Sequence, residues 1–228
     1  MEYLCGNCEG DIKNIKSGIC PHCKTPFELP LEPIPWEQRS SLGFVGAFTG
    51  TLILSLTKPK EFFKRVPATG GFSTPIIYAL ISGLLGTWLN LAWQMLFTYL
   101  GFIEPESQSP DSSMGFNLMI TVLSPLIIPL GLFVGSGIIQ LALMILGVQK
   151  INYETTFRVI CYSSGATILG IFPVVGSMIG AFITILLEAM GLREVYDISL
   201  RRGFAAVIFP ILFLFIILMM ASLTSSGQ

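Results

Sequence analysis

Four long stretches, residues 75–102, 117–147, 157–191 and 203–223, hold only two charged side chains between them, Arg158 and Glu188. Apolar runs of that length are read as transmembrane helices, because about 20 apolar residues match the roughly 30 Å hydrocarbon core of a bilayer. Overall, 52% of the 228 residues are apolar and 12% are charged, about half the roughly 25% charge typical of soluble domains. A chain so composed cannot cover itself with polar surface in water.

The third stretch, 157–191, would exceed about 50 Å as one straight helix, so it must fold back. Gly170-Ile-Phe-Pro173-Val-Val-Gly176 marks the turn, since glycine and proline punctuate helices. Five spans result: 75–102, 117–147, 157–171, 173–191 and 203–223. Residues 117–147 would run about 46 Å as a helix. Pro125 and Pro129 in its first half favour one tilted, kinked span, with a re-entrant pair as the alternative.

Residues 1–27 read as a separate head. Cys5-Gly-Asn-Cys8 and Cys20-Pro-His-Cys23 are two CxxC pairs, and a two-residue gap lets both sulfurs of a pair reach one metal ion. Cys5, Cys8, Cys20 and Cys23 together supply the four thiolates of one structural zinc, on a short hairpin with Gly10, Asn14 and Gly18 as turn residues. The closed shell leaves no position for a reacting water. His22 could substitute as a ligand, but four cysteines already fill the shell. Two disulfides are the alternative, and they require an oxidising compartment. Residues 28–39 form a linker that opens ELPLEPIP, an extended spacer rich in proline.

Residues 40–66 read as an interfacial segment, with Leu42, Val45, Phe48, Leu52 and Leu56 at helical spacing and Gly46, Gly50, Thr51 and Ser55 mostly elsewhere. The membrane domain then covers 67–228. The fold class expected is therefore an all-α polytopic membrane protein of about five transmembrane helices, with a small N-terminal zinc-ribbon β-hairpin domain.

Charge fixes the expected topology, because cytosolic loops are enriched in Lys and Arg. The first thirty residues lack the apolar centre of a secretory leader, which keeps the head cytosolic. Lys13, Lys16, Lys24, Arg39, Lys58, Lys60, Lys64 and Arg65, then Lys150 and Arg158, then Arg193, Arg201 and Arg202 all fall inside. The loop EPESQSPDSSMG carries only acids, and the C-terminal tail, which carries no charge, falls outside.

The body resembles the Yip family (Ypt-interacting proteins) over roughly Leu42 to Leu223. The resemblance rests on TKPKEFFKRV (Thr57 to Val66), on YSSGATILGIFPVVGSMIGAF (Tyr162 to Phe182) and on GLREVYDISLRRGFAAV (Gly191 to Val207). It implies five spans, a cytosolic amino terminus and a short exterior tail, and members fused to a zinc ribbon look like a prokaryotic branch, which implies a prokaryotic cell membrane. Eukaryotic relatives are implicated in vesicle trafficking with prenylated Rab-type GTPases. The Asp-Leu-Tyr-Gly-Pro motif of many of them is missing here, so that role is not carried over.

Within the spans, Gly176 and Gly180 form a GxxxG pair that permits close helix approach, and Gly131 and Gly135 repeat the spacing. Packing within the chain is the plain reading and a homodimer face the sharper one. Asn90 and Gln94, four apart, share a helix face suited to hydrogen bonds between helices or to a polar path. Glu188 is the one acid inside a span; it either snorkels, pairs with Arg158 or Arg193, or serves an ion or headgroup. Cys161 reads as a small core residue.

An enzyme is not expected. The sole histidine sits in the knuckle, and one buried acid cannot form a catalytic carboxylate pair. Nucleic-acid binding is disfavoured, because Lys13, Lys16 and Lys24 are offset by Glu2, Glu9 and Asp11. Two classes remain: a scaffold that organises the lipid bilayer or a cytosolic protein partner, with the ribbon as docking module, and a small transporter or channel lined by Asn90, Gln94, Gln140 or Glu188.

Overall fold

A computed structural model describes Cys8, Cys20 and residues 22–25, 32–102 and 114–225. Cys5, the turn residues Gly10, Asn14 and Gly18, linker residues 28–31 and most of the acidic loop lie outside the described residues. The chain divides into two compact units, Met1–Glu32 and Pro33–Gln228.

In the second unit every regular element among the described residues is helical. A 3-10 turn at Pro35–Gln38 leads into α1 (Arg39–Leu42), α2 (Phe44–Thr57) and α3 (Pro59–Lys64). Five further helices follow: α4 (Ser73–Tyr99), α5 (Met114–Ile145), α6 (Tyr153–Ser163), α7 (Gly176–Tyr196) and α8 (Leu200–Ser225). Ser164–Ile171, between α6 and α7, winds as 3-10 helix.

Two of these, α4 and the Gly115–Ile145 part of α5, are long and apolar enough to cross a membrane. Only 17% and 11% of their most apolar windows are buried. The core helix of a soluble protein hides its apolar side chains; these helices present Trp88, Val122, Leu126 and Leu130 outward, as hydrocarbon surroundings allow.

α5 is one continuous helix containing Pro125 and Pro129. A proline removes the N–H that would bond the carbonyl four residues earlier. For Pro125 that carbonyl belongs to Thr121, and the Ser124 hydroxyl donates to it at 2.6 Å, the kind of local substitution that lets proline persist inside a membrane helix.

The stretch expected to be a helical span at 157–171 is α-helical only to Ser163. Its second half tightens to 3-10 winding where it meets α4 at close range. A Cβ on Gly86 would lie 2.8 Å from the Thr167 carbonyl oxygen, and one on Gly170 would lie 3.5 Å from that of Gly86. After Ile171 the chain turns through Phe172–Val175, with Val174 at φ +67°, before α7 begins.

The facing of α2 differs from the expected amphipathic stripe. Ala47, Phe48, Thr51 and Ser55 are buried, whereas Leu42 is 51% and Val45 71% exposed. The reason lies in local bonding: Thr51 Oγ1 accepts the Trp36 N–H at 2.8 Å, and Ser55 donates to the Leu52 carbonyl at 2.9 Å. Thr51 and Ser55, their polar groups satisfied, share the buried face with Ala47 and Phe48, while Val45 faces out.

The core of this unit is aromatic. Trp36, Phe48, Tyr78, Tyr162, Phe62 and Phe63 form a continuous chain of ring contacts with centroids 5.0 to 6.1 Å apart. Phe62 and Phe63, on consecutive positions of α3, are fully buried. Gly191 on α7 admits them, since a Cβ there would lie 2.9 Å from the Phe63 ring.

Candidate functional site

In the first unit, the Sγ atoms of Cys8, Cys20 and Cys23 lie within 4.8 Å of one another. Cys8 and Cys20 approach to 3.5 Å, well beyond the roughly 2.05 Å of a disulfide and near the about 3.8 Å separating two sulfurs that share a tetrahedral zinc at 2.3 Å. Cys20 and Cys23 are brought together by a tight turn: Lys24 N donates to the Cys20 carbonyl and Cys20 N to that of Thr25, with Lys24 at φ +56°. The Thr25 hydroxyl, 2.7 Å from Cys23 Sγ, pulls that thiol down to about 6, towards the thiolate form that binds metals. Three convergent thiols thus fit a soft divalent metal such as zinc. The fourth expected ligand, Cys5, lies outside the described residues.

In the second unit, the strongest electrostatic feature is one that the sequence reading missed. Arg158 on α6, with its side chain only 2% exposed, places Nη1 2.8 Å from Glu37 Oε1. Its Nη2 donates to the Gly71 carbonyl at 2.9 Å, and the Tyr162 hydroxyl donates to the same Glu37 oxygen at 3.0 Å. Arg158 Nε stands 3.5 Å from Glu154 Oε1, one helical turn back. That contact is an ion pair but not a hydrogen bond, because Nε has no hydrogen-bond partner. Glu154 also accepts the Gly71 N–H at 2.6 Å. The cluster therefore ties the 3-10 turn, the loop before α4 and α6 into one knot.

Trp36 reinforces it. This fully buried residue donates Nε1–H to the Thr74 carbonyl at 2.8 Å while its backbone N–H reaches Thr51. The available signals in sequence were the Glu154/Arg158 spacing of four and an isolated Glu37 beside a tryptophan; neither reveals a partner more than a hundred residues away.

Asn90 and Gln94 share one face of α4, as their spacing requires, and Gln94 Nε2 donates to Asn90 Oδ1 at 3.3 Å. Both line an open cavity of about 500 Å³ bounded by α4, α5, the 3-10 segment and α7. Gln140 and Glu188 are not among its lining residues. Gln140 instead accepts from Thr156 Oγ1 at 2.6 Å. Glu188 is half-buried on α7 and is not the partner of either arginine considered for it: Arg158 pairs with Glu37 and Glu154, and Arg193 with Glu194.

The two glycine pairs differ sharply. A Cβ on Gly180 would lie 2.9 Å from the Ala166 carbonyl oxygen, and one on Gly176 would collide with that of Leu169. Around Gly131 and Gly135 nothing lies within 4 Å. Cys161 is fully buried.

Outward apolar helices around an internal ionic knot define a helical integral membrane protein. The Yip1 domain family model matches residues 53–222, three quarters of the chain, and the protein belongs to that family. Comparison with curated proteins and with solved structures returned no match.

Proposed function

We propose that this chain is a non-enzymatic membrane scaffold that organises lipids or protein partners, with its N-terminal head as a cytosolic docking module. The observation that carries this reading is the use made of ionisable groups. Arg158, Glu37 and Glu154 are spent on fastening the segment before α4 to α6. A transport path needs such groups along its wall; a platform needs them as fasteners. The cavity beside α4 is lined by hydroxyl, amide and apolar side chains without an ionisable group.

In this reading α4 and α5 are joined as spans by 157–171, 173–191 and 203–223. The head and its basic residues stay in the cytosol of a prokaryotic cell, and the tail is exterior. Cys5 completes the shell of Cys8, Cys20 and Cys23 around one structural zinc, which holds the head's short loops together where an apolar core is too small to do so.

The test is native mass spectrometry of the full-length protein in detergent, with flux assays on proteoliposomes. One zinc per chain, retained lipid or protein, and no saturable solute flux are expected. Saturable flux abolished by Asn90→Leu would overturn the scaffold in favour of a transporter. Replacing Cys20 and Cys23 by serine should remove the zinc mass completely while leaving the unfolding temperature of the membrane unit unchanged. Zinc-free wild-type protein with two disulfides would sink the ribbon and the cytosolic placement together.

A further inference from the structure

The cavity beside α4 poses a physical problem of its own. By helix rise, Asn90 and Gln94 lie about 6 and 12 Å beyond the midpoint of α4, towards the end remote from the loop that holds Arg158. Asn90 is exposed there, on a helix long and apolar enough to span a membrane. Hydrocarbon offers an amide no hydrogen bond, and an unmet amide at that depth is costly. The cavity therefore requires a polar occupant.

Hydrogen-bond accounting defines what that occupant offers. Thr87 donates its hydroxyl proton to the Gly83 carbonyl, Thr121 to that of Asn117 and Thr167 to that of Ser164, at 2.8, 2.8 and 2.7 Å. Each keeps only lone pairs for a guest. Because Gln94 Nε2 gives one of its two protons to Asn90 Oδ1, its second proton and Asn90 Nδ2 are left as donors and Gln94 Oε1 as acceptor. The wall thus presents both acceptors and donors, the donors coming from the Asn90 and Gln94 amides and the Ser177 hydroxyl, with no charge among its lining residues. An ionic group placed there would lack a counter-charge. A hydroxyl group, donor and acceptor at once, matches it.

We propose that this cavity binds the uncharged, hydroxyl-bearing head of a membrane lipid, a sugar or glycerol head on a diacylglycerol. The outward apolar side chains Val122 and Leu126 on α5, next to Thr121 of the cavity wall, give the acyl chains a surface to lie on. This rests on the scaffold reading and supplies its lipid class.

The test uses full-length protein in micelles doped equally with glucosyl-diacylglycerol and phosphatidylglycerol, read by native mass spectrometry. One glycolipid should be retained in preference to the anionic lipid. Asn90→Leu with Gln94→Leu should cut that retention about tenfold, the size of one to two lost hydrogen bonds. Ala181→Phe, which fills the cavity from α7 without touching the amides, should do the same, with zinc content and unfolding temperature unchanged in both. Equal retention of phosphatidylglycerol, or wild-type retention by either variant, overturns the proposal. Displacement of the lipid by free glucose or glycerol would also overturn it, because the site would then serve a soluble polyol. Failure of the scaffold itself reads out separately, as solute flux in proteoliposomes.

Discussion

Arg158→Ala should destabilise the membrane unit by about 3–5 kcal/mol, the usual cost of removing one partner from a buried pair. The loss is large because the partner left behind is a carboxylate: Glu37 would keep only the Tyr162 hydroxyl at 3.0 Å and no cation. Arg158→Lys should recover little. One ammonium cannot place separate donors on Glu37 and on the Gly71 carbonyl while lying beside Glu154, whereas the guanidinium fork does so from one plane. Gly70 is bound to the same geometry, since a Cβ there would lie 2.5 Å from Arg158 Nη2.

Thermal unfolding in detergent measures the destabilisation, and tryptophan emission locates it. With Trp88 and Trp93 replaced by phenylalanine, the remaining Trp36 is fully buried in the native protein. Its emission should shift to longer wavelength in Arg158→Ala as the 3-10 turn comes away from α6. Pairing Arg158→Leu with Glu37→Leu should restore part of the loss, because an apolar pair leaves no orphan charge. Unchanged stability and unchanged Trp36 emission in Arg158→Ala would mean that the knot does not fasten the segment.

What the sequence disclosed and what it hid follow from the range of each interaction. The α4 and α5 helices were legible because membrane insertion is decided by local apolarity, which a window of 20 residues contains. The Cys20–Cys23 turn was legible for the same reason: its ligand spacing is local. The Arg158 knot was hidden because its members sit on the linker, the loop before α4 and α6, and no short-range pattern records that Glu37 faces Arg158. The facing of α2 was not legible, for a different reason. Apolar spacing at Leu42, Val45 and Phe48 specifies a stripe, but Phe48 turns inward beside Thr51, whose partner is the backbone of Trp36, while Leu42 and Val45 face out. Helical winding at 157–171 was read from apolarity, which does not register the crowding of Gly86 and Gly170 that accompanies 3-10 geometry.

Gly176→Val and Gly131→Ala should move stability in opposite directions, although both positions begin the same GxxxG spacing. At Gly176 a side chain would collide with the Leu169 carbonyl oxygen and come within 3.1 Å of Phe172 Cβ. A carbonyl fixed in 3-10 winding cannot rotate aside as a side-chain tip can, so α7 itself must withdraw. Overpacking of this kind costs about 1–3 kcal/mol or more, and valine adds a β-branch to the clash. At Gly131 the space is open to beyond 4 Å, and alanine gains roughly 0.5–1 kcal/mol from its better helix propensity. Unfolding temperatures of the two variants, measured in one detergent at two protein concentrations, decide the matter. A fall for Gly176→Val with a level or raised value for Gly131→Ala assigns the first pair to packing within the chain. A comparable fall for both, growing as the protein is diluted, would place a second copy of the chain against α5 at Gly131 and Gly135.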